Sequence, residues 1–379
     1  MKKKVMSLLL AAAMTATLFA GCGSDNGTAD KTTGDNAAAS TEAAGDETSA
    51  DGYELALVID VGTIDDKSFN QGSWEGVKKY GDENGVAYKY YKSAEATTDS
   101  FQETIALAIE GGAKVVVCPG FLFEEPIYNM QTQYPDVKFI LIDGEPHDAE
   151  NNKETAENTM AVLYEEDQAG FLAGYAAVKD GYTKLGFMGG MALPAVMRYG
   201  YGYLAGADYA AKELGVDVDV TYTYTGSFEA TPEAQSMATG WYQAGTEVIF
   251  ACGGSVGNSV MAAAEASDNA KVIGVDVDQS SESDTVITSA MKMLSNSVYD
   301  AIQAAYDGSF PGGKTTVFDA ANDGVGIAMD TAKFNTFSQA DYDEIFAKLV
   351  AGEITIDNDV ENKEVSDLDL SNVTVNYVQ

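Results

Sequence analysis

Residues 112–120, GAKVVVCPG, and residues 137–145, VKFILIDGE, return later in the chain as GTEVIFACGG at 245–254 and AKVIGVDVD at 270–278. Gly112 falls on Gly245, Lys114 on Glu247, Lys138 on Lys271 and Asp143 on Asp276, all at one offset of 133 positions, and upstream Gln102 falls on Gln235. A spacing held through a helix-length interval and two apolar runs reads as a duplicated structural unit. Two similar lobes follow from it, and a cleft between them is where a ligand would go.

The rest of the body repeats the same alternation. Short β-rich runs, LALVI 55–59, YKYY 88–91, KVVVC 114–118, KFILI 138–142, KLGFM 184–188, VTYTY 220–224, EVIFAC 247–252, KVIGV 271–275 and TVITS 285–289, are separated by segments of helix length. This is the signature of βαβ units and parallel sheet. In such sheets the ligand site lies beyond the carboxyl ends of the strands. The residues there read DVGTIDD, CPGFLFEE, DGEPHD, GGMALP, CGGSVGN and DVDQSSE, rich in Gly, Asp and Phe. Such loops suit a small ligand that is both polar and aromatic.

After the first strand, Ser68 and Gln71 stand at capping-box spacing, and Trp74, Val77 and Tyr80 give the buried stripe of a helix that ends near Asn84 and Gly85. Phe69 then occupies a first turn, where a polar residue is usual, and is predicted to face the cleft mouth. Asp65 and Asp66 read as caps that complement the helix dipole.

The chain opens MKKKVMSLLLAAAMTATLFAGC, a lysine cluster, an apolar run of signal length and small residues before Cys22. LFAGC resembles a lipobox, which makes Cys22 the acylated N-terminus of the mature protein. Residues 23–52 lack any large apolar side chain and are expected to form a disordered tether. No later run is long enough to span a bilayer, so the body is expected at the outer face of the cell membrane. A formal charge of −37 argues against nucleic acid as a partner. Cys118 and Cys252, each inside an apolar run, read as buried free thiols.

LVIDVGTIDDKSFNQGSWEG resembles the N-terminal signature of the basic membrane protein family of solute-binding lipoproteins, and GFLAGYAA, GFMGGM, VIFACGGSVGN, VIGVDVDQ, TSAMKM and YDGSFPGG follow in that family's order. The resemblance implies an α/β fold of the type I periplasmic-binding-protein kind, two doubly wound parallel-sheet lobes joined by a three-stranded hinge. The lobes are expected at 53–180 with 290–310 and at 181–289 with 311–379. It also implies a monomeric receptor that closes over a small molecule and delivers it to ABC permease subunits. In nucleoside-binding members of the family two aromatic rings sandwich the base. They map here onto Phe69 and Phe250, with Asp60 and Asp143 at the base edge, Asp278 at the ribose, and Asn70, Gly254 and Lys292 as neighbours. Purine nucleoside is the implied ligand; riboflavin or another aromatic solute, and a sensing role, are the alternatives.

Catalytic readings fit less well. A nucleoside hydrolase needs an Asp-x-Asp followed by paired acids to hold calcium, and after Asp60 the chain places Val61 and Gly62 before Asp65 and Asp66. The single histidine, His147, belongs to no assembled nucleophile set. In CGGSVGN, Cys252 stands where a dinucleotide loop needs its first glycine, and DVDQSSESD lacks the turn glycine of a calcium loop. Neither enzyme activity, cofactor nor metal is therefore expected. Past residue 311, TTVFDAANDGVGIAMD reads as a strand pair turned at 322–324, and DYDEIFAKLVAGEI as an amphipathic helix.

Overall fold

Strands whose residues are buried throughout, such as β1 (Leu55–Ile59, LALVI), can exist only where both faces of a sheet are covered, and this condition shapes the whole molecule. The structure is a computed structural model and describes residues 52–378. The expected leader at 1–22 with Cys22, and all but the last residue of the expected tether, lie outside the described residues. Among those described, no helix is long and apolar enough to cross a membrane.

After β1 come α1 (Phe69–Asn84), β2 (Tyr88–Lys92), α2 (Thr98–Glu110), β3 (Val115–Pro119), α3 (Glu124–Gln133), β4 (Lys138–Ile142) and β5 (Thr159–Tyr164). The chain then forms α4 (Glu166–Lys179), β6 (Lys184–Gly189), α5 (Pro194–Leu214), β7 (Val218–Tyr224), α6 (Pro232–Gln243), β8 (Val248–Cys252), α7 (Val256–Glu265), β9 (Lys271–Asp276) and β10 (Val286–Lys292). It ends with α8 (Leu294–Asp307), β11 (Lys314–Phe318), β12 (Val325–Ile327), α9 (Gln339–Val350) and β13 (Val373–Tyr377).

Two sheets result. The first runs β2-β1-β3-β4-β5-β11, parallel throughout. The second runs β13-β7-β6-β8-β9-β10-β12, parallel except for the β10–β12 pair. The order β2-β1-β3-β4-β5 in one lobe matches β7-β6-β8-β9-β10 in the other, so the internal repeat is a repeat of topology. Cys118 on β3 and Cys252 on β8 are buried free thiols.

The chain passes between lobes three times: from β5 into α4, from β10 into α8, and from β11 toward β12. Helix α4 packs on α5, β10 and β12, so it belongs to the second lobe, whereas α8 packs on α1, β3 and β4 in the first. The lobe boundaries expected at 180, 290 and 311 therefore lie instead near 165, 293 and 319. The strand pair expected after residue 311 is not a hairpin: β11 joins the first sheet and β12 the second. Its turn is real, closed by Asp319 accepting from Asn322 and by Asp323 at φ 56°, but it carries the chain from lobe to lobe. Strand β5, TMAVLY, was not among the expected strands; it follows a polar loop and runs straight into three acids, which masks a six-residue signal.

Helices α4 and α5 meet backbone to backbone. A Cβ on Gly202 would lie 2.0 Å from the Asp167 carbonyl oxygen, and one on Gly170 2.2 Å from that of Tyr199. The motif GFLAGYAA thus serves helix packing, and it fixes the start of α4 against the start of α5.

Candidate functional site

The carboxyl ends of β4 and β9 carry Asp143 and Asp276, the two acids paired by the repeat. Both adopt the left-handed backbone conformation, φ 60° and 67°, which Asp tolerates better than most residues but which still costs free energy. Both carboxylates act on one point between the lobes.

That point is Lys292, the last residue of β10. Its ammonium pairs with Asp143 Oδ2 of the first lobe and lies 3.0 Å from Glu166 Oε1, at the start of α4. Three rings surround it: Phe69 at 5.1 Å, Tyr164 at 5.3 Å and Tyr199 at 5.4 Å from their centroids. Only 4% of Lys292 is exposed. Burial alone would lower its pKa, but Asp143, Glu166 and Asp276 outweigh that and raise it, so the side chain is a fixed cation.

The acids differ from one another. Burial pushes Asp143 up to about 7 against the pull of Lys292, and Glu166 adds to the rise. Burial also raises Asp276, again opposed by Lys292. Glu166 goes the other way: burial opposes its charge, but Lys292 and Arg198 together hold its carboxyl below the usual range. Arg198 Nε donates to Glu166 Oε2 at 2.6 Å. Asp143 Oδ1 and Glu166 Oε1 are both buried with no hydrogen-bond partner, so the centre holds acceptors left free.

The lobes touch around the cluster. Ser68 Oγ donates to Asp276 Oδ2 at 2.5 Å, and Gln279 Nε2 donates to the Lys67 carbonyl at 2.6 Å. Ser68 is the residue before α1, yet its hydroxyl does not cap the helix as the Ser68–Gln71 spacing suggested. Asp66 does so, accepting from the amides of Ser68, Asn70 and Gln71 at 2.9–3.1 Å. Burial raises Asp66 to about 6 in spite of these bonds. With the capping left to Asp66, Ser68 is free to bridge to the other lobe.

Of the residues expected in the site, Phe69, Asp143 and Lys292 come together here. A Cβ on Gly120, just past β3, would reach the edge of the Phe69 ring at 4.0 Å, so that ring covers the carboxyl edge of the first sheet. Asp60 and Asn70 border Gly62 on the same rim, with the Gly62 amide donating to Asp60. Gly254, at φ 55°, stands beyond β8.

Two expected residues lie elsewhere. Phe250 is mid-strand in β8, 0% exposed, and packs on Tyr203, Phe187 and Tyr199 at 5.2–5.8 Å inside the second lobe. Strand β8 is buried on both faces, so every residue along it, Phe250 included, enters a core. Asp278 is exposed and engaged locally by the Ser280 amide and the Thr331 hydroxyl. The second-lobe ring at the carboxyl edge is Phe228, in the loop after β7. A Cβ on Gly190 would meet it at 2.4 Å, and one on Gly254 would meet its own Cβ at 3.6 Å. Its loop, TGSFEA, follows a strand as the other cleft loops do, and that position was the available signal. Asp276 was visible as the repeat partner of Asp143; Glu166 gave no such sign.

Two α/β lobes, three crossings and a buried polar centre describe a two-lobed α/β protein whose candidate ligand site lies between the strand ends. Residues 53–359 match the family described as ABC transporter substrate-binding protein PnrA-like, and the chain belongs to that family. It is 29% identical over 356 residues to the ABC transporter nucleoside-binding protein BmpA of Lactococcus lactis, covering 88% of this chain and 93% of that one. Among solved structures, an ABC transporter solute-binding protein of Aeropyrum pernix is similar with TM-score 0.70 and 24% identity, over 80% of this chain and 92% of that one. One from Conexibacter woesei gives 0.64 and 25%, over 80% and 99%.

Proposed function

We propose that this protein captures a purine nucleoside for an ABC importer, held by a lipid on Cys22 at the outer face of the cell membrane and acting as a monomer. The base stacks between Phe69 of one lobe and Phe228 of the other. Asp143 and Asp276 accept hydrogen bonds from ligand N–H and O–H groups, and Lys292 supplies a cation beside them. A carboxylate suits a vicinal diol, because it accepts two bonds and donates none.

The observation that carries this reading is the unpartnered Oδ1 of Asp143, buried at the meeting point of both lobes beside Phe69 and Lys292. A buried acceptor without a donor is costly, and a ligand hydroxyl or amino group removes that cost. The printed name of the Lactococcus relative adds support for a nucleoside. Because the ring contacts come from opposite lobes, each worth about 1 kcal/mol or more, only the closed form makes both.

The test is calorimetry with inosine, guanosine, adenosine, uridine and riboflavin. Binding of a purine nucleoside tighter than about 10 µM, roughly −7 kcal/mol, is the expected result. Tight binding of riboflavin alone, or of none of the panel, rejects the nucleoside.

A further inference from the structure

Glu166 stands where two of the three lobe crossings meet. It is the first residue of α4, reached directly from β5 through Glu165, and its carboxylate faces Lys292, which ends β10 two residues before α8 begins. One oxygen is 3.0 Å from the Lys292 ammonium, an ion pair whose geometry is not that of a hydrogen bond. The other accepts from Arg198, on the second turn of α5. The side chain is 0% exposed. It therefore has no face to offer a ligand, and both of its oxygens look at cations.

Lys292 has a second suitor. Asp143 reaches it from the opposite lobe, and that same carboxylate holds the free acceptor oxygen to which a ligand would donate. The ammonium donates to Asp143 Oδ2, its nearer partner, and Glu166 adds a second negative charge from the second lobe on its other side. Arg198 holds that carboxylate in turn. The backing is itself rigid, because α4 and α5 touch backbone to backbone just beside it at Gly202 and Asp167.

We infer that Glu166 is a positioning residue of the binding site, which, braced by Arg198, fixes the Lys292 ammonium in place against Asp143. This rests on the nucleoside reading for the identity of the ligand, but not for the contact it describes. Groups facing Asp143 are Lys292 on β10, Glu166 at α4, Asp276 on β9, Arg198 and Tyr199 on α5, Tyr164 on β5 and Cys252 on β8. Loss of the Glu166 charge removes one negative neighbour from both Asp143 and Lys292. The pKa of each then falls.

The experiment is Glu166→Gln in the full chain, with Arg198→Gln beside it. Inosine affinity is expected to fall about tenfold in the first and a few-fold in the second, where Lys292 still has its partner. Below neutral pH, the pH midpoint of inosine binding shifts acidward in Glu166→Gln. Without nucleoside, carboxyl NMR is expected to show Asp143 titrating at lower pH in Glu166→Gln, which loses a negative neighbour, and at higher pH in Arg198→Gln, which loses a positive one, whereas simple loosening of the fold would lower both. Unchanged affinity in both variants, or an Asp143 titration that does not move, overturns the inference. Should Glu166→Gln fail to fold, the same two readouts on Arg198→Gln decide it. A parent protein that binds no inosine while the Asp143 titration still shifts rejects the nucleoside and leaves the positioning role standing.

Discussion

Replacing Phe250 by alanine separates a ring that holds the fold from a ring that holds a ligand. The Phe250 side chain has no exposed surface and is bounded by three other rings at 5.2–5.8 Å, so truncation opens a cavity in the second lobe. Buried Phe→Ala changes cost about 3–5 kcal/mol. At about 2–4 °C per kcal/mol for a protein of 150–250 residues, the fall in Tm is on the order of 10 °C. Phe69→Ala is the contrast. That ring is half-buried over Gly120 with the Lys292 ammonium at 5.1 Å, and in the proposed complex it stacks on a base. Its loss should weaken inosine binding by about 1–3 kcal/mol, roughly fivefold to a hundredfold, with little change in Tm. Scanning calorimetry and titration calorimetry on both variants at one pH make the comparison. If Phe250→Ala keeps its Tm and loses its ligand, the ring is not core and the reasoning from its burial fails.

Three further outcomes are expected. Gly72 on α1 faces Val277 of the other lobe, and a Cβ there would lie 2.9 Å from Val277 Cγ1, so Gly72→Leu should hold the lobes apart; small-angle scattering with inosine should show a more open particle, and a closed one would refute the contact. Asp276→Asn should weaken inosine about tenfold while Asp278→Asn changes it less than about twofold, and the reverse order in titration calorimetry would restore Asp278 to the site. Burial, and then the Glu165 carboxylate, push Asp167 up to about 8, so the folded protein favours its protonated form. The stabilising contribution is complete below the unfolded value near 4 and is lost as pH rises through 8. Tm should therefore drop between pH 6 and pH 9, with Asp167→Asn flattening the drop; an unaltered slope in that variant would show that Asp167 is not its source.

What the sequence discloses about this fold follows from where hydrophobic periodicity is strong. The runs LALVI and KFILI match β1 and β4 residue for residue, because strands covered on both faces are apolar except at an end, where Lys138 is only half-buried. The repeat around Asp143 and Asp276 discloses the duplicated sheet order. Periodicity says nothing about which sheet a strand enters, and so β11 and β12, adjacent in sequence with an honest turn between them, end in different lobes. The site divides along the same line. Phe69 stands out because an aromatic in a helix first turn breaks a local rule, whereas Phe250 lies on a strand buried on both faces, where no alternation marks which way a side chain points. The wholly apolar run VIFAC was the sign that its side chains enter a core. Glu166 was illegible for a different reason: an acid among 59 acids carries no local mark, and its partners Lys292 and Arg198 lie 126 and 32 positions away. Its role arises from charge balance in a buried centre assembled by three chain crossings, and charge balance is a property of the folded whole rather than of any window of sequence.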